Sequence, residues 1–100
     1  MATVPMKLVT VVAERLLRDR LLKELAALGA RGFTLTDATG EGSRGVRASD
    51  WEGRNVRVEA IVAPDVADRI VEHVAEQYFE HHAVIVWVQA VEVVRGEKYM

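Results

Sequence analysis

The sequence predicts an α+β domain in which two helices pack on one face of a four-stranded antiparallel sheet. Three observations lead there. Lys7–Ala13, Arg31–Ala38, Asn55–Val62 and Ala83–Val94 have the β-branched, alternating or apolar character of strands. Glu14–Leu28 and Asp65–Phe79 carry apolar residues at steps of three and four, as amphipathic helices do. These six segments follow one another as β-α-β-β-α-β within 100 residues, without a repeat, linker or low-complexity tract.

Each element has its own local reason. Lys7–Ala13 (KLVTVVA) is a short apolar run with β-branched residues. The period then changes: Leu16, Leu17, Leu21, Leu25 and Leu28 share one side of a helix, with Arg15, Arg18, Arg20, Lys23 and Glu24 opposite. Gly29 follows the last leucine, where a left-handed cap is expected. In Arg31–Ala38, Phe33 and Leu35 alternate with Thr34 and Thr36. In Asn55–Val62, Val56, Val58 and Ala60 face one way, and Arg57, Glu59 and Ile61 the other. Pro64-Asp65 opens the second helix, whose stripe is Val66, Ile70, Val71, Val74 and Tyr78. This order in about a hundred residues is that of the ferredoxin-like plaited sheet. Two layers leave one sheet face uncovered. That face should hold Ile61 with either Ile85 and Trp87 or Val84, Val86 and Val88. Strands apolar on both sides imply burial on both, so a second copy of the chain is expected to cover it.

Composition narrows the function classes. Half the residues are hydrophobic, enough for a core in one domain spanning 1–100. A formal net charge of −2 argues against a general nucleic-acid binder. The absence of cysteine excludes disulfides, thiolate catalysis and cysteine-based zinc sites. The first apolar run, Leu8–Ala13, is too short for a signal segment, and no stretch approaches the length of a membrane span. A cytoplasmic protein without membrane insertion is the expectation.

The most informative segment is Gly40-Glu41-Gly42-Ser43-Arg44-Gly45-Val46-Arg47, between the second and third strands. Glycines let backbone N–H groups approach an anion, and arginines offer forked donors matched to phosphate or carboxylate. A mobile solvated connection is the competing reading. Arg54 and Arg57 add charge nearby, although on an alternating strand such residues are commonly its exposed face, with Glu59 a partner for Arg57. His73, His81 and His82 invite a metal reading, but no Asp, Glu or Cys cluster completes a ligand set, so no metal is expected. Trp87 is expected to be buried in the core or between copies. Trp51 is either a partner anchor or a local packing residue. No nucleophile with an adjacent base and no spaced carboxylate pair is visible, so an enzyme is not expected.

These residues together resemble the PII-like signalling proteins, in particular the SbtB and carboxysome-associated (CPII) branch. Gly32-Phe33-Thr34-Leu35-Thr36-Asp37 is similar to the second PII strand, which leads into the long T-loop. Gly40–Arg47 is similar to the G-x-G-S-R-N-V-R start of the SbtB T-loop, with Gly45 in place of Asn. Val56-Arg57-Val58-Glu59, Tyr78-Phe79 and Ala90-Val91-Glu92-Val93 with Gly96 follow at matching positions. The resemblance implies a homotrimer with a T-loop at about 40–53, binding AMP, ADP, ATP or cyclic AMP in clefts between subunits. In the carboxysome-associated branch it implies bicarbonate in addition. It implies a partner such as a bicarbonate transporter or a carboxysome-linked protein, and control of inorganic-carbon uptake or fixation. By position, Arg44 and Arg47 would meet the phosphates, and Gly40, Gly42 and Ser43 would line their approach. Thr34 would meet the adenine, and Arg95 would reach phosphate from the neighbouring subunit. PII proteins proper carry a glycine-rich B-loop with a lysine before the last strand. Here that connection is about Glu80-His81-His82, which shifts the expectation towards AMP, ADP or cyclic AMP. The alternative is a ferredoxin-like trimeric module for metal handling or protein interaction, with the histidines as ligands.

Overall fold

Alternation along the first strand decides where everything else goes. In the computed structural model, which describes residues 2–38 and 55–95, β1 runs Thr3–Glu14 and β3 runs Asn55–Val62. β2 is Thr34–Ala38 and β4 is Ile85–Val94. The sheet order is β2-β3-β1-β4, and all three pairings are antiparallel. β1 therefore lies inside the sheet, paired with β3 on one side and β4 on the other. Val9, Val11 and Ala13 point to the helices. So do their cross-strand neighbours Val56, Val58 and Ala60 on β3 and the half-buried Val86 on β4. The expected βαββαβ ferredoxin-like architecture is the one observed.

The first helix differs from its periodicity in one respect. It opens with a single 3₁₀ turn, Arg15–Leu17, before α1, Arg18–Leu28. A 3₁₀ turn holds three residues rather than 3.6, so neighbouring leucines there cannot share the inward direction. Leu17, Leu21 and Leu25 are buried, whereas Leu16 is 58% exposed and leaves the stripe. α2, Pro64–Tyr78, starts with Pro at its first turn, where the missing N–H costs nothing. It buries Ala67, Ile70, Val74 and Tyr78. Val66 and Val71, expected on the stripe, are half-buried at its margins. β2 begins at Thr34, later than its alternation indicated. Phe33 precedes the ladder and is 37% exposed.

α1 ends at Gly29, whose φ of 118° lies in the left-handed region. Its N–H donates to Ala26 O at 3.1 Å, and Ala30 N–H donates to Leu25 O at 3.1 Å. A Cβ at Gly29 would stand 3.2 Å from Val66 Cγ2. The end of α1 thus presses on the start of α2, and glycine is required for backbone and space alike.

The two helices are also tied by one carboxylate. Glu24 Oε1 accepts from the Tyr78 hydroxyl at 2.5 Å and lies 2.9 Å from His73 Nε2, while Oε2 accepts from Arg20 Nε at 3.1 Å. The Arg20 guanidinium lies over the Tyr78 ring, 4.7 Å from its centroid. Partial burial works to raise the Glu24 carboxyl, but the bonds from Tyr78, His73 and Arg20 outweigh it and hold the group below its ordinary 4.5. Burial, followed by the bond to Glu24, pushes the Tyr78 phenol well above its ordinary 10.0.

These contacts set measurable stabilities. Gly29→Ala should destabilise the fold by about 1–3 kcal/mol in urea unfolding at fixed protein concentration, because both the φ and the Val66 contact oppose a Cβ. Tyr78→Phe should cost about 1.5–3 kcal/mol, the range for a hydrogen bond to a charged group. The pH dependence has a definite sign at each end. A depressed Glu24 stabilises fully above pH 4.5, and that contribution is lost as pH falls through the folded value. A raised Tyr78 stabilises fully below pH 10.0, and that contribution is lost as pH rises through the folded value. In Tyr78→Phe the alkaline loss should disappear and the acid loss should shrink. Unchanged limbs would show that the bond does not contribute.

Candidate ligand site

Among the described residues, no layer lies over the sheet face opposite the helices. Of the alternatives read from the sequence, this face takes Ile61 with Ile85 and Trp87, while Val84 and Val86 pack against the helical core. Ile85 is 56% exposed and Trp87 half-buried. The Arg57 guanidinium reaches across β1 to lie 5.4 Å from the Trp87 ring centroid, a cation–π contact. Arg57 also approaches Glu59 Oε2 at 3.5 Å, and Trp87 Nε1–H donates to Gln89 Oε1 at 3.3 Å. Thr10, between Glu59 and Trp87 in the cross-strand row, is fully buried. Its Oγ1 and the Asn55 Oδ1 lack a hydrogen-bond partner among the described residues. Buried polar atoms without partners are costly in a finished interior.

Two of the candidate ligand residues can be placed. Thr34 is exposed on the edge strand β2, in the row Thr34–Glu59–Thr10–Trp87. Arg95 follows the last residue of β4, exposed and with a left-handed φ of 66° that ends the strand abruptly. The register puts Thr3 opposite Val94 and Thr10 opposite Trp87. At the usual rise per residue, the two ends of that span are about 23 Å apart. One chain therefore does not bring Thr34 and Arg95 together. Gly40, Gly42, Ser43, Arg44 and Arg47, with Trp51 and Arg54, lie outside the described residues.

The roots of the segment 39–54 are well placed even so. Ala38 pairs with Asn55, so the segment leaves and re-enters the sheet at one point. Asn55 also pairs with Glu14, the last residue of β1. Beside this end, on the helix side of β2, an open cleft of about 530 Å³ is lined by Arg15, Leu16, Arg18, Asp19, Leu35 and Asp37. Its arginines read in the sequence only as the polar side of a helix. Their convergence with Asp37 comes from the β2–β3–β1 order, which no local pattern encodes.

The histidines go to three different carboxylates: His73 to Glu24, His81 to Glu80 at 3.3 Å, and His82 to Glu14 at 3.2 Å. Among the described residues no group of three His, Cys, Asp or Glu side chains is arranged to hold a metal ion. Nor is any helix among them long and apolar enough to cross a membrane.

Comparison with known proteins places this geometry. The family model for nitrogen regulatory protein P-II matches residues 6–98. A protein of Thermus thermophilus described as a PII-like signalling protein is 58% identical, with all of both chains covered and a TM-score of 0.88. CPII of Thiomonas intermedia K12, in a structure bound to ADP and bicarbonate, is 22% identical over 98% of this chain and 97% of that one, with a TM-score of 0.86. In a second structure, bound to ADP, AMP and acetate, CPII gives 20% identity over 99% and 98% of the two chains, with a TM-score of 0.84. CPII shares the fold. With a family model that spans nearly the whole sequence and a relative identical at more than half its positions, the chain belongs to the nitrogen regulatory protein P-II family.

Proposed function

We propose that this chain is a non-enzymatic signalling protein that binds an adenyl nucleotide, with bicarbonate as a second ligand, in clefts between the subunits of a homotrimer. The observation that carries this reading is the fold it shares, end to end, with CPII, whose structures hold ADP together with bicarbonate or with AMP. The chain supplies matching chemistry. Arg44 and Arg47 are the phosphate donors, Gly40, Gly42 and Ser43 let the backbone approach, and Thr34 meets the base. Arg95 reaches the phosphates from the neighbouring subunit. The register supports that division, since Thr34 and Arg95 sit towards opposite ends of one sheet and combine only across copies.

The uncovered sheet face supports the assembly. Ile61, Ile85 and Trp87 are apolar surface left half-buried or exposed by one chain, in search of burial. Ligand contacts through Arg44 and Arg47 order the T-loop, and a partner reads the order. The partner class is a bicarbonate transporter or a carboxysome-linked protein, in the cytoplasm, where the readout governs inorganic-carbon uptake or fixation. The metal-handling alternative has less behind it, because the three histidines are engaged by separate carboxylates.

Isothermal titration with AMP, ADP, ATP and cyclic AMP, each with and without bicarbonate, tests the reading directly. ADP or AMP should give measurable heat, and silence from every nucleotide at millimolar concentration would end it. Arg47→Ala should weaken nucleotide binding by about 1.5–3 kcal/mol, the worth of a charge-assisted contact to phosphate. Equal affinity in wild type and variant would remove Arg47 from the site. Trp87→Glu puts a carboxylate on the sheet face between copies, and light scattering should then show a monomer where the wild type is a trimer. A variant that stays trimeric would place the interface elsewhere.

A further inference from the structure

One titratable pair fastens the α2–β4 connection to the end of β1. His82 Nδ1 lies 3.2 Å from Glu14 Oε2, with the two side chains only 27% and 21% exposed. The Tyr78 ring meets the His82 ring edge-on at 5.8 Å and 62°. The Tyr78 carbonyl accepts from both His81 N–H and His82 N–H, at 3.3 Å and 2.9 Å. Among the described residues, the charged and titratable groups around His82 are Glu14 from β1 and Tyr78 from α2. Behind Tyr78 stand Glu24 and Arg20 of α1, and on the connection itself the Glu80–His81 pair. Glu14 pairs with Asn55, and Asn55 with Ala38. One row of the sheet thus runs from the carboxylate that holds His82 to both roots of the segment 39–54.

We propose that the His82–Glu14 pair is a proton-sensitive clasp on the root of this segment. Imidazole is the side chain that ordinarily changes charge between about pH 5 and 8. Charged, His82 makes a charge-assisted bond to Glu14 in a half-buried setting. Neutral, it keeps an ordinary bond, and only in the tautomer with hydrogen on Nδ1. Acid therefore tightens the α2–β4 connection onto the end of β1 and steadies the row Glu14–Asn55–Ala38. For the ligand, the proposal rests on the nucleotide-binding reading: a steadier root binds the nucleotide more tightly, so the site responds to protons as well as to adenyl nucleotide.

The test has two arms. Backbone amide spectra of the full chain without nucleotide, recorded from about pH 5 to 8, should show the Ala38 and Asn55 amides moving. That movement should be lost in His82→Gln and Glu14→Gln and kept in His81→Gln. Amides that stay still in the wild type, or that move equally in His82→Gln, overturn the clasp. In the second arm, ADP is titrated at about pH 6 and pH 8. After the His82→Gln ratio is divided out to remove the nucleotide's own protonation, the wild type should bind roughly three- to tenfold more tightly at the lower pH. Equal ratios would overturn the coupling to ligand. No ADP heat at either pH, with the amide response intact, would support the clasp and sink the nucleotide reading alone.

Discussion

β1 is hydrogen-bonded along both of its edges, to β3 and to β4, and the rest of the structure depends on that double pairing. Because side chains alternate along a strand, fixing the register of β1 fixes which residues of three strands face the helices and which face away. Val9, Val11 and Ala13 go to the helices with Val56, Val58 and Ala60. Thr10 and Val12 go to the other face with Arg57, Glu59 and Trp87. A slip of one residue would bury Arg57 and Glu59 under α1 and α2, a cost no local interaction would offset. Among the described residues, the single-sided core and the face without a layer are therefore two results of one constraint.

That constraint also arranges the ends of the sheet. β1 and β4 run past β3, since Lys7 is the last β1 residue opposite β3 while β4 stays paired as far as Thr3. Arg95 is carried out on this extension. The other end of the sheet gathers Glu14, Asn55 and Ala38, the roots of the glycine- and arginine-bearing segment. Arg95 and these roots thus lie at opposite ends of one sheet. On the ligand roles proposed above, they meet only in a closed ring, where one copy's extension faces the next copy's loop root.

The sequence made the layer structure legible because burial is periodic. β3 was readable to its limits from Asn55–Val62, whose alternation survives in the burial of every second residue. The departures lie where periodicity stops carrying information. Leu16 fails because a 3₁₀ turn replaces the first helical turn, and leucine spacing alone does not distinguish the two. Phe33 falls outside the ladder because strand pairing starts at Thr34, three residues after Arg31 where the strand was expected to begin. The site was less legible than the fold. Arg44 and Arg47 stand out by composition, but the Glu14–His82 contact and the placing of Arg15 and Asp37 along one cleft come only from topology.

The same topology gives the proposed ligand signal a route through the described residues. The segment 39–54 joins the sheet at two root residues, and what braces them bears on it. Here the roots Ala38 and Asn55 are braced on one side by the ladder to Glu14, and Glu14 is engaged by His82. His82 stands on α2's exit and touches Tyr78, which is itself bound to Glu24 on α1. At the helix end of this series of contacts Tyr78 is buried and bound to Glu24, while at the loop end a half-buried imidazole meets a carboxylate. A ligand shifts an equilibrium only by the difference in its affinity for the two states, so the signalling role proposed for this segment calls for a root whose states differ by little. A single polar pair at that root meets the need, because its bond contributes on the order of 1 kcal/mol, whereas an apolar plug of buried leucines would hold the loop in one state.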